Sequence, residues 1–205
     1  WFGAIISGTP VSQLFKVAHL DTDSTREVTL EVALQGVFDD GNVWPDHAVK
    51  VMLNGEEIGT MSFDGLQHPV NQFVIDSRFI QEGDNSVTLQ SLNGSMDISL
   101  IDYLRLTFAH RFVADNNALL YSANGRELVT IDGFSTAKVH VYDLTDPNNI
   151  TELQGDVQQS GKAYRVTVAA PDAGPHALYA VGDKALQPVA AAVANQPSGW
   201  EQLSP

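Results

Sequence analysis

The chain has 205 residues, 43% apolar and 18% charged, and no cysteine. This composition is globular and suits one large domain or two small ones; it excludes disulfides, cysteine zinc sites, iron–sulfur clusters and a thiol nucleophile within the chain. Eleven basic against 25 acidic residues give a net charge of −14, which repels nucleic-acid phosphates and anionic lipid, and no apolar run reaches the length of a membrane span.

The dominant hydrophobic period is two, the signature of half-buried strands. Residues 26–36 place Val28, Leu30, Val32 and Leu34 on one face and Thr29, Glu31 and Ala33 on the other. Residues 47–53 repeat the pattern with Val49, Val51 and Leu53. Asn54-Gly55 then reads as a tight hairpin turn into Glu56–Phe63. Residues 71–77 alternate through Phe73 and Ile75, and Gly83-Asp84-Asn85 turns the chain into a strand over 86–92. The longest run, 97–108, puts Ile98, Leu100, Leu104, Leu106 and Phe108 on one face with Asp102 interrupting it. A carboxylate at that register needs a hydrogen-bonding partner or an open edge.

Further short strands are expected at 118–123, 127–132, 136–144, 163–169 and 176–181. Asn124-Gly125, Asp132-Gly133, Asp146-Pro147-Asn148-Asn149 and Ser160-Gly161 separate them. Asp143 and Asp146, around Thr145, suit a turn held by side-chain to backbone hydrogen bonds. The one helical candidate is Val189–Ala194, too short to stand alone. Residues 1–109 carry 5 basic and 15 acidic residues, and 110–205 carry 6 and 10. With the strand ending at Ala109-His110-Arg111, this places a first domain at 1–109, a second at 110–194 and a linker at 195–205. The expected class is all-β: a jelly-roll β-sandwich followed by a smaller β-sandwich-like domain. The chain opens at Trp1 and reads as a piece of something longer.

No catalytic motif is legible. The six histidines form no HExxH or HxH pair, and there is no nucleophile elbow or phosphate loop. A carboxylate pair could run glycoside hydrolysis, but nothing selects one. Two acidic clusters have the oxygen chemistry of calcium sites: Asp21 with Asp23, and Asp39 with Asp40. Calcium is therefore the cofactor these loops could hold, the alternative being that Asp, Asn and Gly serve there as ordinary turn formers. Trp44, Asp46 and His47 combine an aromatic with polar groups in one loop. Such a loop can stack on a sugar ring, the alternative being a Trp that caps the open end of the core. Trp1-Phe2 and Trp200 suit packing against neighbouring domains.

Several strings, taken together, carry a resemblance. LQGVFDD, WPDHAVKVMLNGEEIG, FDG, FIQEGDNSVTL and IDYLRLTF are similar to a jelly-roll module. RFVADNNALLYSANG and VTIDGFSTAKVHVYDLTDP, with Gly133-Phe134 and residues 142–147 as the distinctive parts, resemble a small β-domain. In tandem, over roughly Leu34 to Val181, they resemble the non-catalytic region that precedes the peptidase domain in gingipain-type cysteine peptidases and related bacterial surface proteins. The family's catalytic His and Cys map to no residue here. The resemblance implies a secreted parent, an ancillary role beside a peptidase domain beginning beyond Pro205, and that downstream domain as partner. A glycan or a surface protein is the other partner class.

Overall fold

The computed structural model describes residues 2–187 and 189. The chain divides into two compact units, Trp1–Arg111 and Phe112–Pro205. The division is chemical as well as spatial. Arg111 donates its N–H to His19 O (2.8 Å) and stays with the first unit, whereas Phe112 O accepts from Asp132 N (3.0 Å) in the second. Trp1, Trp200, nearly all of the helix expected at 189–194 and the linker expected at 195–205 lie outside the described residues.

The first unit holds eight strands: β1 (Ile5–Ile6), β2 (Val11–Val17), β3 (Val28–Gly36), β4 (His47–Leu53), β5 (Glu56–Phe63), β6 (Val70–Ile75), β7 (Gly83–Ser91) and β8 (Ser99–Thr107). They form two antiparallel four-stranded sheets in the orders β1-β8-β3-β6 and β2-β7-β4-β5. This is a jelly roll, in which consecutive strands cross between the two sheets except at the β4–β5 hairpin. Alternation puts Val28, Leu30, Val32, Val49, Val51, Leu53, Val87 and Leu89 between the sheets, all under 5% exposed. Asn54 (φ 51°) and Gly55 (φ 89°) form the expected two-residue turn between β4 and β5.

Two registers differ from the simple alternation: β4–β5 shifts between Val51↔Gly59 and Met52↔Glu57, leaving Ile58 extra on β5, and β3–β8 shifts at Asp102. Ala33 pairs with Tyr103 but Leu34 pairs with Ile101, so Asp102 is the extra residue of a β-bulge on β8. A bulge switches the face of every residue on one side of it. Before it Ser99 and Ile101 face inward, 0% and 5% exposed; after it Leu104 and Leu106 pack on the core. Leu100 is therefore not an inward residue, and Asp102 marks the switch rather than interrupting one face. Its carboxylate accepts from His68 Nε2 (2.8 Å).

The second unit holds β9 (Ala118–Asn124), β10 (Leu128–Phe134), β11 (Val139–Asp143), β12 (Thr151–Leu153), β13 (Asp156–Ser160), β14 (Ala163–Ala169) and β15 (Pro175–Gly182). The sheets β10-β14-β13 and β12-β11-β15-β9 enclose a core of Tyr121, Ile131, Phe134, Val141, Val166 and Leu178. The same bulge device appears in β10, where the pairing shifts between Ile131↔Val166 and Phe134↔Tyr164. Gly133 takes φ 92° there, and a Cβ would meet Val113 Cγ1 at 2.9 Å. The positive φ and tight approach favour glycine, and the shift turns Phe134 into the core at 0% exposure.

Candidate functional site

The three loops 37–46, 64–69 and 92–98 leave β3, β5 and β7 and enter β4, β6 and β8, so they gather at one end of the jelly roll. Beneath them lies a buried cluster of ionisable groups centred on His47. This side chain opens β4 in the inward register of Val49, Val51 and Leu53, and it is 0% exposed. Its ring stacks on Phe63 across the β4–β5 pair, centroids 4.5 Å apart.

Both ring nitrogens face acceptors. Nδ1 lies 2.7 Å from Asp97 Oδ1, and Nε2 lies 2.9 Å from Gly65 O and 3.0 Å from Phe38 O. Backbone carbonyls cannot donate, so Nε2 carries a proton; with Asp97 as a carboxylate Nδ1 carries one as well, which makes His47 an imidazolium. Burial alone would push its pKa down. The hydrogen bond to Asp97, the Gly65 carbonyl and the nearby Asp46 and Asp97 charges outweigh that, and the net shift is upward.

The two carboxylates are bound as fully. Asp97, 2% exposed, also accepts from Ala48 N (3.1 Å) and Ser91 Oγ (2.9 Å). Asp46, 4% exposed, accepts from Asp40 N and Gly65 N, both at 2.8 Å, and its Oδ1 lies 3.6 Å from His47 Nε2. Burial would raise the Asp46 pKa. The two backbone N–H groups and the His47 charge hold it below the ordinary carboxylate value. Gly65 meets both charges because its φ of 55° aims its N–H at Asp46 and its carbonyl at His47. Gly36 leaves the room: a Cβ there would lie 2.8 Å from His47 Nε2 and collide with the Gly65 carbonyl.

The expected ligand-binding residues therefore fall into two groups. Asp46 and His47 are buried with their polar atoms engaged, whereas Trp44 is 84% exposed. The ring does not cap the core. Phe38 is half-buried and its carbonyl accepts from His47 Nε2. Sequence reasoning missed Asp97, Ser91, Gly65 and Gly36. The legible signal was His47 itself, an inward-phased ionisable group at the head of an apolar strand that needs a buried counter-charge.

The acidic pairs lie at opposite ends of the jelly roll. Asp21 and Asp23 precede β3, and Asp39 and Asp40 follow it, so nine strand residues hold them roughly 25 Å apart. Asp21 Oδ1 accepts from Asp23 N (3.1 Å), and Asp40 Oδ1 accepts from Asn42 N (3.1 Å), both turn-forming bonds. Among the described residues no three His, Asp or Glu side chains are grouped so as to hold a metal ion.

Two other features have chemical content. In the second unit Asp143 accepts from Thr145 N (2.9 Å) and Thr145 Oγ1 (2.5 Å), and its Oδ2 lies 3.0 Å from His176 Nδ1. Burial would raise the Asp143 pKa, and these partners hold it down. His176 Nε2 is buried and Nδ1 is engaged by Asp143. In the first unit a groove of about 360 Å³ runs between β2 and β8, with Leu14, Phe15, Leu30, Ile101 and Leu104 on its walls. Its one carboxylate, Asp102, is engaged by His68.

No family model matches the sequence, and no curated protein matches it. Among solved structures, the chain is similar to latent PorU from Porphyromonas gingivalis, crystallised as a dimer. The TM-score is 0.63 at 9% identity, over 90% of this chain and 18% of that one. A β-glucuronidase from Bifidobacterium dentium, complexed with coumarin-3-O-glucuronide, matches with a TM-score of 0.27 at 14% identity over 80% of this chain and 33% of that one. The second score carries no argument. The first is a likeness of fold, and this chain spans about a fifth of the PorU chain it matches.

Proposed function

We propose that this chain is a non-catalytic ancillary region of a larger secreted or surface protein, packing against or positioning a gingipain-type peptidase domain that follows it. The observation that carries this reading is the tandem of a jelly roll and a smaller sandwich, matched over 90% of the chain's length to a stretch of latent PorU. The chemistry of the interior supports it. The buried ionisable cluster of the first unit is spent on binding loops to one another, and in the second His176 Nδ1 is held by Asp143 while Nε2 is buried.

The test is the parent gene. A secretion signal upstream and a downstream domain with a His and a Cys in gingipain-like context would support the reading, and peptidase folding with and without residues 1–205 would then measure the ancillary role. A downstream region of further β-modules or a surface anchor would overturn the peptidase link. Carbohydrate binding by the jelly roll is the second reading, favoured by the exposed Trp44 ring. It would run on Trp44 without the side chains of Asp46 or His47, which are buried. Calcium in the acidic loops remains a proposal of the same kind, tested by whether the metal alone raises the melting temperature.

A further inference from the structure

The loop end of the jelly roll combines a rigid base with an apolar rim. The base is the cluster of His47, Asp46, Asp97, Ser91, Gly65 and Phe38, which ties all three loops to one another. Asn93 adds a bond from its Nδ2 to Asp46 O (3.0 Å). The rim is Val37, Val43, Trp44, Leu66, Leu92 and Met96, exposed by 43 to 84%. Four of the six stand next in sequence to a cluster member: Val37 to Phe38, Leu66 to Gly65, Leu92 to Ser91 and Met96 to Asp97. Trp44 stands two residues from Asp46, and Val43 donates its N–H to Asp40 O (2.9 Å). Bond lengths along these paths keep all six Cα atoms within roughly 15 Å of the His47 ring.

Six large apolar side chains concentrated on one loop end are more than a scatter of surface residues, and such concentrations mark interaction sites. Fixing the loops beforehand reduces the ordering cost of binding. Charge decides the occupant. Residues 37–47, 64–69 and 92–98 contain no Lys or Arg, and Asp39, Asp40 and Asp64 lie exposed or half-exposed among the apolar groups. A second copy presenting the same face would bring like charges together. We infer that this loop end docks a protein surface with an apolar centre bordered by Lys or Arg, with Trp44 as the anchoring side chain. The inference stands whether or not a peptidase follows this chain.

The test is selection of a random displayed peptide library on the 205-residue chain, with counter-selection on Trp44→Ala. The expected winners join an aromatic or leucine-type residue to Lys or Arg. Their affinity is expected to fall about tenfold or more in Trp44→Ala, a loss typical of an interface anchor. It is also expected to weaken with salt and in Asp39→Lys, and to survive Leu120→Ala in the second unit. Trp44→Ala exposes no core, so unchanged melting serves as the folding control. Winners without basic residues, winners indifferent to Trp44, or no winners at all overturn the inference. So does a dimer in sedimentation that Trp44→Ala dissolves, or a glycan-array signal that Trp44→Ala abolishes.

Discussion

His47→Ala is the perturbation on which the site chemistry is most exposed to test. The side chain is 0% exposed and makes three hydrogen bonds. Its removal leaves Asp97 and Asp46 buried with their nearest cation gone, and leaves the carbonyls of Phe38 and Gly65 without that donor. Breaking a buried ion pair from one side costs about 3–5 kcal/mol, because the remaining charge is uncompensated. For a unit of this size each kcal/mol moves the midpoint by about 4 °C, so the first unit is expected to melt about 12–20 °C lower. Differential scanning calorimetry on the full chain reads the shift. Hydrogen-exchange mass spectrometry assigns it: amides of loops 37–46, 64–69 and 92–98 lose protection, while β10 and β14 do not change. The control is His68→Ala. Its pair with Asp102 is 43% and 33% exposed, so the cost there is about 0–1 kcal/mol. If His47→Ala cost no more than His68→Ala, the buried-imidazolium reasoning would be refuted.

The His47 pKa is raised from 6.5, so its stabilisation is full below that pH and drains away as pH rises through the folded-state value. The alkaline decline in the chain's urea midpoint is therefore expected to shrink in His47→Gln, and an unchanged decline counts against it. The Asp143 pKa is lowered from 3.8, so its contribution is present above 3.8 and is lost as pH falls through the lower folded value. Asp143→Asn should flatten that acid limb in the second unit's unfolding. The β8 bulge places Ile101 inward, so Ile101→Ala should cost about 2–5 kcal/mol in urea titrations and Leu100→Ala distinctly less. Equal costs would restore the unbulged register. Gly36→Ala should destabilise the first unit and release the same loops as His47→Ala, since the new methyl competes with the Gly65 carbonyl and the imidazole for one space.

Much of the fold was legible because alternation reports one-sided burial. β4, β5 and β14 fall on the expected bounds, and Asn54-Gly55 turns as its chemistry requires. The strands that escaped notice are edge or short strands with little to bury. β13 reads Asp-Val-Gln-Gln-Ser, and β12 has three residues. β2 has Gln13 where the inward series through Val11, Phe15 and Val17 passes, and Leu14 stands outward at 83% exposure. The strand expected at 86–92 begins at Gly83, because Asn85 is buried and bonds its side chain to Gln81 and Gly83. The bulges of β5, β8 and β10 were illegible for one reason: an inserted residue changes phase without changing composition, so Asp102 reads as a flaw in a face.

The candidate site was half legible. Trp44, Asp46 and His47 stand together in the sequence, yet adjacency says nothing of direction. The strand places His47 inward while the loop leaves Trp44 outside. Asp97 is fifty residues from His47, and only the jelly-roll crossing brings them into contact.

The most direct measurement on the buried cluster is the nitrogen-15 spectrum of the histidine rings across pH in the full chain. His47 is expected to show imidazolium shifts at neutral pH, with both ring protons observable and slow to exchange, and to titrate above 6.5. A neutral His47 ring at pH 7, carrying a single proton, would contradict the account. One of its two acceptor sites would then face a bare nitrogen, and the lock that holds the three loops would not exist as described.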